Sequence, residues 1–170
     1  LKLAELNGVG EDTAWKLAHE FFGWREFQNR RQVGSAAGLT GSPYSSGDSQ
    51  REQGISKAGN ARVRHLMTEL AWRWLRFQSG SELARWYERR FGTGTKRMRR
   101  VGIVALARKL LVALWRYGAQ GVIPQGVLIK AAYTRPRNGK HNGEALDVRE
   151  TGTALGRAYA DRFVDGFFSI

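Results

Sequence analysis

Cysteine is absent from the 170-residue chain, which excludes disulfide staples, thiolate zinc sites, iron–sulfur clusters and thiol nucleophiles. Its chemistry must run on oxygen and nitrogen. Long apolar runs are missing as well: the longest, Val101–Trp115, is interrupted by Arg108 and Lys109 and falls short of the roughly 20 apolar residues of a membrane span. A soluble chain with no membrane partner is the expectation. No charged-then-apolar leader opens the sequence and it begins at Leu1, so it reads as an intracellular piece of a longer protein. Histidine is rare: His19, His65 and His141 stand apart without ligand spacing, so no metal site is expected. No phosphate-binding glycine loop, nucleophile elbow or paired acidic motif is present.

Negative charge is the last scarcity. Lys+Arg number 28 and Asp+Glu 15, a formal net charge of +13, and the excess is uneven. Residues 1–50 hold 5 basic and 6 acidic side chains, 51–117 hold 16 and 4, and 118–170 hold 7 and 5. Nucleic acid is the default partner of such a chain. One basic run can be a solvated helix face, but the middle third carries nearly all of the excess.

The periodicity predicts a mainly α-helical fold. Leu3, Leu6, Ala14, Leu17, Ala18 and Phe21 suggest two short helices joined at Asn7-Gly8-Val9-Gly10, with Glu11 and Asp12 in the second helix's first turn. Residues 34–60, rich in Gly, Ser, Ala and Gln, read as a long serine/glycine loop. Val63, Leu66, Met67, Leu70, Ala71, Trp74 and Leu75 then repeat with helical spacing and leave Arg62, Arg73 and Arg76 on the outward side. A second helix is expected from the N-cap Ser81 to Phe91, burying Leu83, Trp86, Tyr87 and Phe91. A third, roughly 96–117, opens on the cluster Lys96, Arg97, Arg99, Arg100 and then turns almost wholly apolar. Together 61–117 make a basic helical bundle, and Val127-Leu128-Ile129 a short strand or packed turn. Residues 133–170 form a tail, disordered or locally docked.

The spacing Leu6-Asn7-Gly8-Val9-Gly10 is that of a helix-hairpin-helix, where Gly8 and Gly10 would let a phosphate approach backbone amides; an ordinary αα-turn is the equal alternative. Trp72, Trp74, Trp86 and Trp115 could stack bases. For Trp74 and Trp86, on apolar faces, core packing is the expected job, and Trp72 lies beside the stripe rather than on it.

Gly38-Leu39-Thr40-Gly41-Ser42-Pro43-Tyr44-Ser45-Ser46-Gly47, followed by Gly54-Ile55-Ser56-Lys57-Ala58-Gly59-Asn60-Ala61-Arg62-Val63-Arg64, resembles the C-terminal serine domain of insertion-sequence DEDD transposases. That family includes Piv-type invertases and bridge-RNA-guided recombinases. The resemblance covers residues 1–132, with the hairpin at 1–22, the serine loop at 34–60 and the bundle at 61–117. Asn7 and Gly41 stand where the family usually has proline, and the family's RuvC-like domain with its four acidic residues is not in the chain.

The resemblance implies a DNA transposase or site-specific recombinase in which Ser46 attacks a DNA phosphodiester to form a phosphoserine link, Ser45 being the neighbouring alternative. Arg51, Lys57, Arg62 and Arg64 are the cations expected to stabilise the transition state. With Gly8, Gly10, Asn60, Arg73, Arg76, Lys96, Arg97, Arg99 and Arg100 they complete the expected DNA contacts. No cofactor is expected in this chain, magnesium belonging to the RuvC-like domain. DNA is the implied partner, a guide RNA an optional one, with a homo-oligomer in the full-length protein and a cytoplasmic, nucleoid-associated place in a prokaryotic cell. The competing readings are a non-catalytic nucleic-acid-binding module, with Ser46 a turn residue bonding its own backbone, and a truncated, inactive transposase.

Overall fold

A computed structural model describes residues 2–23, 25–46 and 49–130, the side chains of 42–46 and 49–53 lying outside the description. These residues belong to one unit, Leu1–Ala131; a second, Ala132–Ile170, lies outside the described residues, and with it the expected tail. In chain order come a 3-10 turn, Lys2–Glu5; α1, Glu11–Lys16, running on as a π-helical stretch, Leu17–Phe22; and α2, Arg30–Ala36. The strands β1, Gly41–Ser46, and β2, Ser49–Ile55, follow, then α3, Ala61–Phe77; α4, Glu82–Phe91; and α5, Lys96–Gln120. The fold is mainly helical, as expected.

Each long helix begins at a side-chain cap that satisfies otherwise orphaned amides. Asn60 Oδ1 accepts from the amides of Arg62 and Val63 at 3.0 and 3.1 Å, Ser81 Oγ from Ala84 at 3.3 Å, and Thr95 Oγ1 from Met98 at 3.4 Å. The helix α5 ends at Gln120, three residues beyond the expected Tyr117, where Gly121 turns left-handed at φ 70°. The stripe read on α3 is the buried one: Val63, Met67, Leu70, Ala71 and Trp74 are buried, Leu66 and Leu75 half-buried. On α4, Ala84, Tyr87 and Phe91 are buried, while Leu83 and Trp86 are half-buried against the same core. The central helix is α5, which packs on α3, α4, α2 and the 3-10 turn and buries Ile103, Leu106, Ala107, Leu110, Leu111, Leu114 and Tyr117. Burial of such side chains stabilises by about 1.5–3 kcal/mol each.

Two expectations need correction. Residues 34–60 are not one loop: the segment opens on the end of α2, capped by Asn29, and continues as an antiparallel ribbon in which Ser42 pairs with Gln53 and Ser46 with Ser49. The strands are polar, so no apolar alternation marked them. The first arm of the expected helix-hairpin-helix is a single 3-10 turn, too short to be an α-helix.

That turn is clasped from the other end of the unit. Gln78, fully buried at the end of α3, donates from Nε2 to the carbonyls of Asn7 and Leu128, both at 2.8 Å. Its Oε1 accepts from the amide of Leu128 at 2.8 Å. Leu6 bridges Ile129, so the expected Val127–Ile129 strand is one isolated pairing. Lys130 Nζ donates to the carbonyls of Ala4 and Val9 at 2.7 Å. Tyr117 adds a hydroxyl hydrogen bond to Glu5 Oε2 at 3.1 Å, and its phenol is pushed up to about 12 by burial, with the Glu5 charge adding to the effect.

Candidate nucleic-acid interface

The motif blocks either side of the ribbon meet at its base. Gly38, at φ +66°, ends α2, and its amide donates to Ser35 O at 2.8 Å. The returning strand is tied to the same place: Ser56 N donates to Thr40 O at 2.8 Å, Lys57 N to Gly38 O at 3.3 Å, and Asn60 N to Ala36 O at 2.8 Å. Lys57 itself sits at φ 55°, a left-handed conformation uncommon for a lysine. A β-carbon on Gly59 would lie 2.5 Å from both Ala36 O and Gly38 N, so only glycine lets the two backbones approach this closely. Arg64 closes the knot, donating from Nη1 to Lys57 O at 3.1 Å and Ala37 O at 3.4 Å.

Above this base rises the ribbon. Ser46 is the last residue of β1 and pairs across the ribbon with Ser49, three positions on, so it stands at the end of the ribbon farthest from the knot. Arg51 pairs with Tyr44 and Ser45 with Gln50. The side chains of Ser45, Ser46 and Arg51 lie outside the described residues.

The remaining expected contacts divide by environment. Asn60 and Arg64 have structural partners, the first as the cap of α3 and the second in the knot. Arg73 lies 4.0 Å from Glu69, which also pairs with His65 at 3.3 Å, and Arg76 stacks over Phe77 at 5.6 Å. Lys57, Arg62, Lys96, Arg97 and Arg100 are exposed and face no carboxylate among the described residues. Arg99, also exposed, donates from Nε to Gly94 O at 3.2 Å. The contrast with α4 is instructive: there Glu82 holds Arg89 at 2.6 Å and Arg85 at 3.6 Å, and its carboxyl is held below the usual range chiefly by its hydrogen bond from Arg89. No acidic residue stands in the first turn of α5, where the helix dipole already disfavours cations. Four basic side chains are thus gathered at an unfavourable place, which a bound polyanion would relieve.

Gly8 and Gly10 differ. Gly8 has φ +87°, and a β-carbon there would lie 3.1 Å from Phe77 Cβ, whereas Gly10 has open space around it. Of the tryptophans, Trp74 is buried and donates to Ser81 Oγ at 2.9 Å. Trp86 is half-buried under Lys109 Nζ at 4.6 Å, and Trp115 packs half-buried on the core. Trp72 is 51% exposed; its place off the apolar stripe was the sequence signal. Gln78 had none, being one polar residue after an apolar helix. Among the described residues no helix is long and apolar enough to cross a membrane, and no three His, Asp or Glu side chains are grouped to hold a metal ion.

Comparison with known proteins bears on the same residues. The family model described as Transposase IS116/IS110/IS902 family matches residues 2–88, a span holding the knot, the ribbon, α3 and most of α4. The candidate transposase y4rJ of Sinorhizobium fredii is 44% identical over 129 residues, covering 75% of this chain and 32% of that protein. The transposase for insertion sequence element IS1328 of Yersinia enterocolitica is 32% identical over 125 residues, 72% of this chain and 36% of its own length. The chain therefore spans about a third of the length of these curated relatives.

Proposed function

The chain belongs to the IS116/IS110/IS902 transposase family, and from that premise we propose that residues 1–132 are its DNA-binding, serine-bearing C-terminal domain, with Ser46 as the nucleophile. In the step envisaged, Ser46 Oγ bonds to the scissile phosphorus and the bond from phosphorus to the leaving deoxyribose oxygen breaks. The serine proton ends, in net terms, on that leaving oxygen. Arg51, the cation nearest to Ser46 in sequence and on the strand that pairs with β1, is the one that would offset charge on the phosphoryl oxygens, while Lys57 and Arg62, exposed at the ribbon's base and the start of α3, would hold DNA phosphates farther along the strand. Asn60 and Arg64 act through the knot as positioning residues. Gly10, with open space around it, is the hairpin glycine through which a phosphate would be approached.

One observation carries this reading: residues of the two motif blocks interlock through backbone hydrogen bonds into a base from which runs a ribbon with Ser46 at its far end. A turn serine would need no such base. Among the described residues no group of His, Asp or Glu side chains is placed to hold a metal ion, so no step is derived through the magnesium that the resemblance implies, which would be held by a RuvC-like domain. The same reading has the whole protein work on DNA as a homo-oligomer in the prokaryotic cytoplasm, with a guide RNA as a further partner.

The test is to incubate the chain with labelled branched or supercoiled DNA, with a RuvC-like domain and magnesium added. A covalent protein–DNA adduct is expected, absent in Ser46→Ala while DNA binding persists. Salt-sensitive binding without an adduct in any combination would overturn the nucleophile and leave a non-catalytic binding module.

A further inference from the structure

Trp72 presents a half-exposed indole on the surface of α3 although Trp74, two residues on, is fully buried. It shares an open groove of about 450 Å³ with Lys96, Arg99 and Arg100 of α5. The three cations are spaced i, i+3 and i+4, so they project from one face of the helix. Among the described residues no carboxylate lines the groove; Glu69, one turn before Trp72, is engaged with His65 and Arg73. Arg99 is held toward the helix start by its hydrogen bond to Gly94 O. A flat apolar surface bordered by three cations of a neighbouring helix matches one chemistry: the face of a base with its backbone phosphates alongside.

We propose that this groove holds an unpaired nucleotide of a nucleic-acid strand, the base stacked on Trp72 and its flanking phosphates on Lys96, Arg99 and Arg100. In an intact duplex the base faces are covered by their neighbours, so an exposed indole gains a stacking partner only from an unpaired or extruded base. The proposal rests on the nucleic-acid-binding reading above and adds strand state to it: this surface is for opened DNA or for RNA, whereas exposed cations elsewhere suffice for duplex phosphates.

Fluorescence anisotropy on the 170-residue chain tests it with five probes of equal length. These are oligothymidylate, oligouridylate, an abasic deoxyribose-phosphate strand, a blunt duplex and poly-glutamate. Trp72→Ala is expected to weaken at least one single strand roughly tenfold, to leave abasic strand and duplex within about twofold, and to keep the thermal melt. The strand that loses more, DNA or RNA, identifies the source. Trp72→Phe should retain most of the affinity, and Lys96→Ala with Arg100→Ala should weaken every nucleic-acid probe and flatten its salt dependence. Unchanged single-strand binding in Trp72→Ala, or an equal loss on the abasic strand, overturns the inference while leaving the broader reading intact. Poly-glutamate bound as tightly as the strands overturns it in favour of an acidic protein partner, and no binding to any nucleic acid overturns both.

Discussion

Gly59 has no room for a β-carbon, because both atoms it would meet at 2.5 Å, Ala36 O and Gly38 N, belong to backbone. Backbone cannot rotate aside as a flexible side chain can, so Gly59→Ala must push the start of α3 away from the end of α2. A loss of about 2 kcal/mol in stability is expected, measurable by denaturant titration, with strand transfer in the complete protein falling further because the ribbon loses its direction. Gly54→Ala is the control: it has open space around it and should shift stability by no more than about 0.5 kcal/mol. The motif containing Gly59 and Asn60 was legible in the sequence, but the jobs of these residues were not. Asn60 was read as a DNA contact and acts in the fold as a helix cap; the role of Gly59 depends on contacts more than twenty positions away, which no local pattern encodes. Trp72 was half-legible, since helical phase placed it off the stripe but could not show the cations opposite.

Helix α5 combines two incompatible demands. Its first turn gathers Lys96, Arg97, Arg99 and Arg100 where the dipole favours acid, while its later turns form the centre of the core. Arg97→Glu should therefore stabilise the isolated protein by about 0.3–1 kcal/mol, seen as a raised melting temperature, and weaken DNA binding across sequences, flattening the salt slope by about one unit. Lower stability with unchanged binding would show that the cluster has no polyanion to serve. Helices α3, α4 and α5 could be read in advance, the first two from apolar stripes at helical spacing, α4 also from its cap Ser81, and α5 from a long, almost wholly apolar run after its basic start. The ribbon could not: its strands carry serine, glutamine and glycine, and its clearest signal was the two-residue Gly47-Asp48 link between serines, which suits a hairpin. Helix α2 was hidden by its length of seven residues and by the glycine within it.

Across the whole of Leu1–Ala131, the first and last described segments are joined through Gln78, Lys130 and Tyr117, so the turn at Asn7–Gly10 is held in place by residues from the other end of the unit. The phenol of Tyr117 gives this closure a pH signature. An unfolded tyrosine ionises near 10, whereas the folded one holds its proton to about 12. Between those values the folded state binds more protons than the unfolded, so this contribution is complete below pH 10 and is lost as pH rises toward about 12. Denaturation midpoints of the native chain should fall more steeply over that window than those of Tyr117→Phe, and parallel curves would contradict the assignment. The unit so closed supports a surface on which Lys57 and Arg62, just before and at the start of α3, and Lys96, Arg97 and Arg100, at the start of α5, are exposed and face no carboxylate among the described residues, and a ribbon whose far end is Ser46. Mass spectrometry on the digested protein–DNA adduct, formed with a RuvC-like domain and magnesium present, tests the account most directly. A nucleotide-phosphate mass on the peptide spanning Arg51's upstream neighbours, localised by fragmentation to Ser46, is the predicted result; the same mass on Ser45 or on any residue outside β1, or no adduct at all, would contradict it.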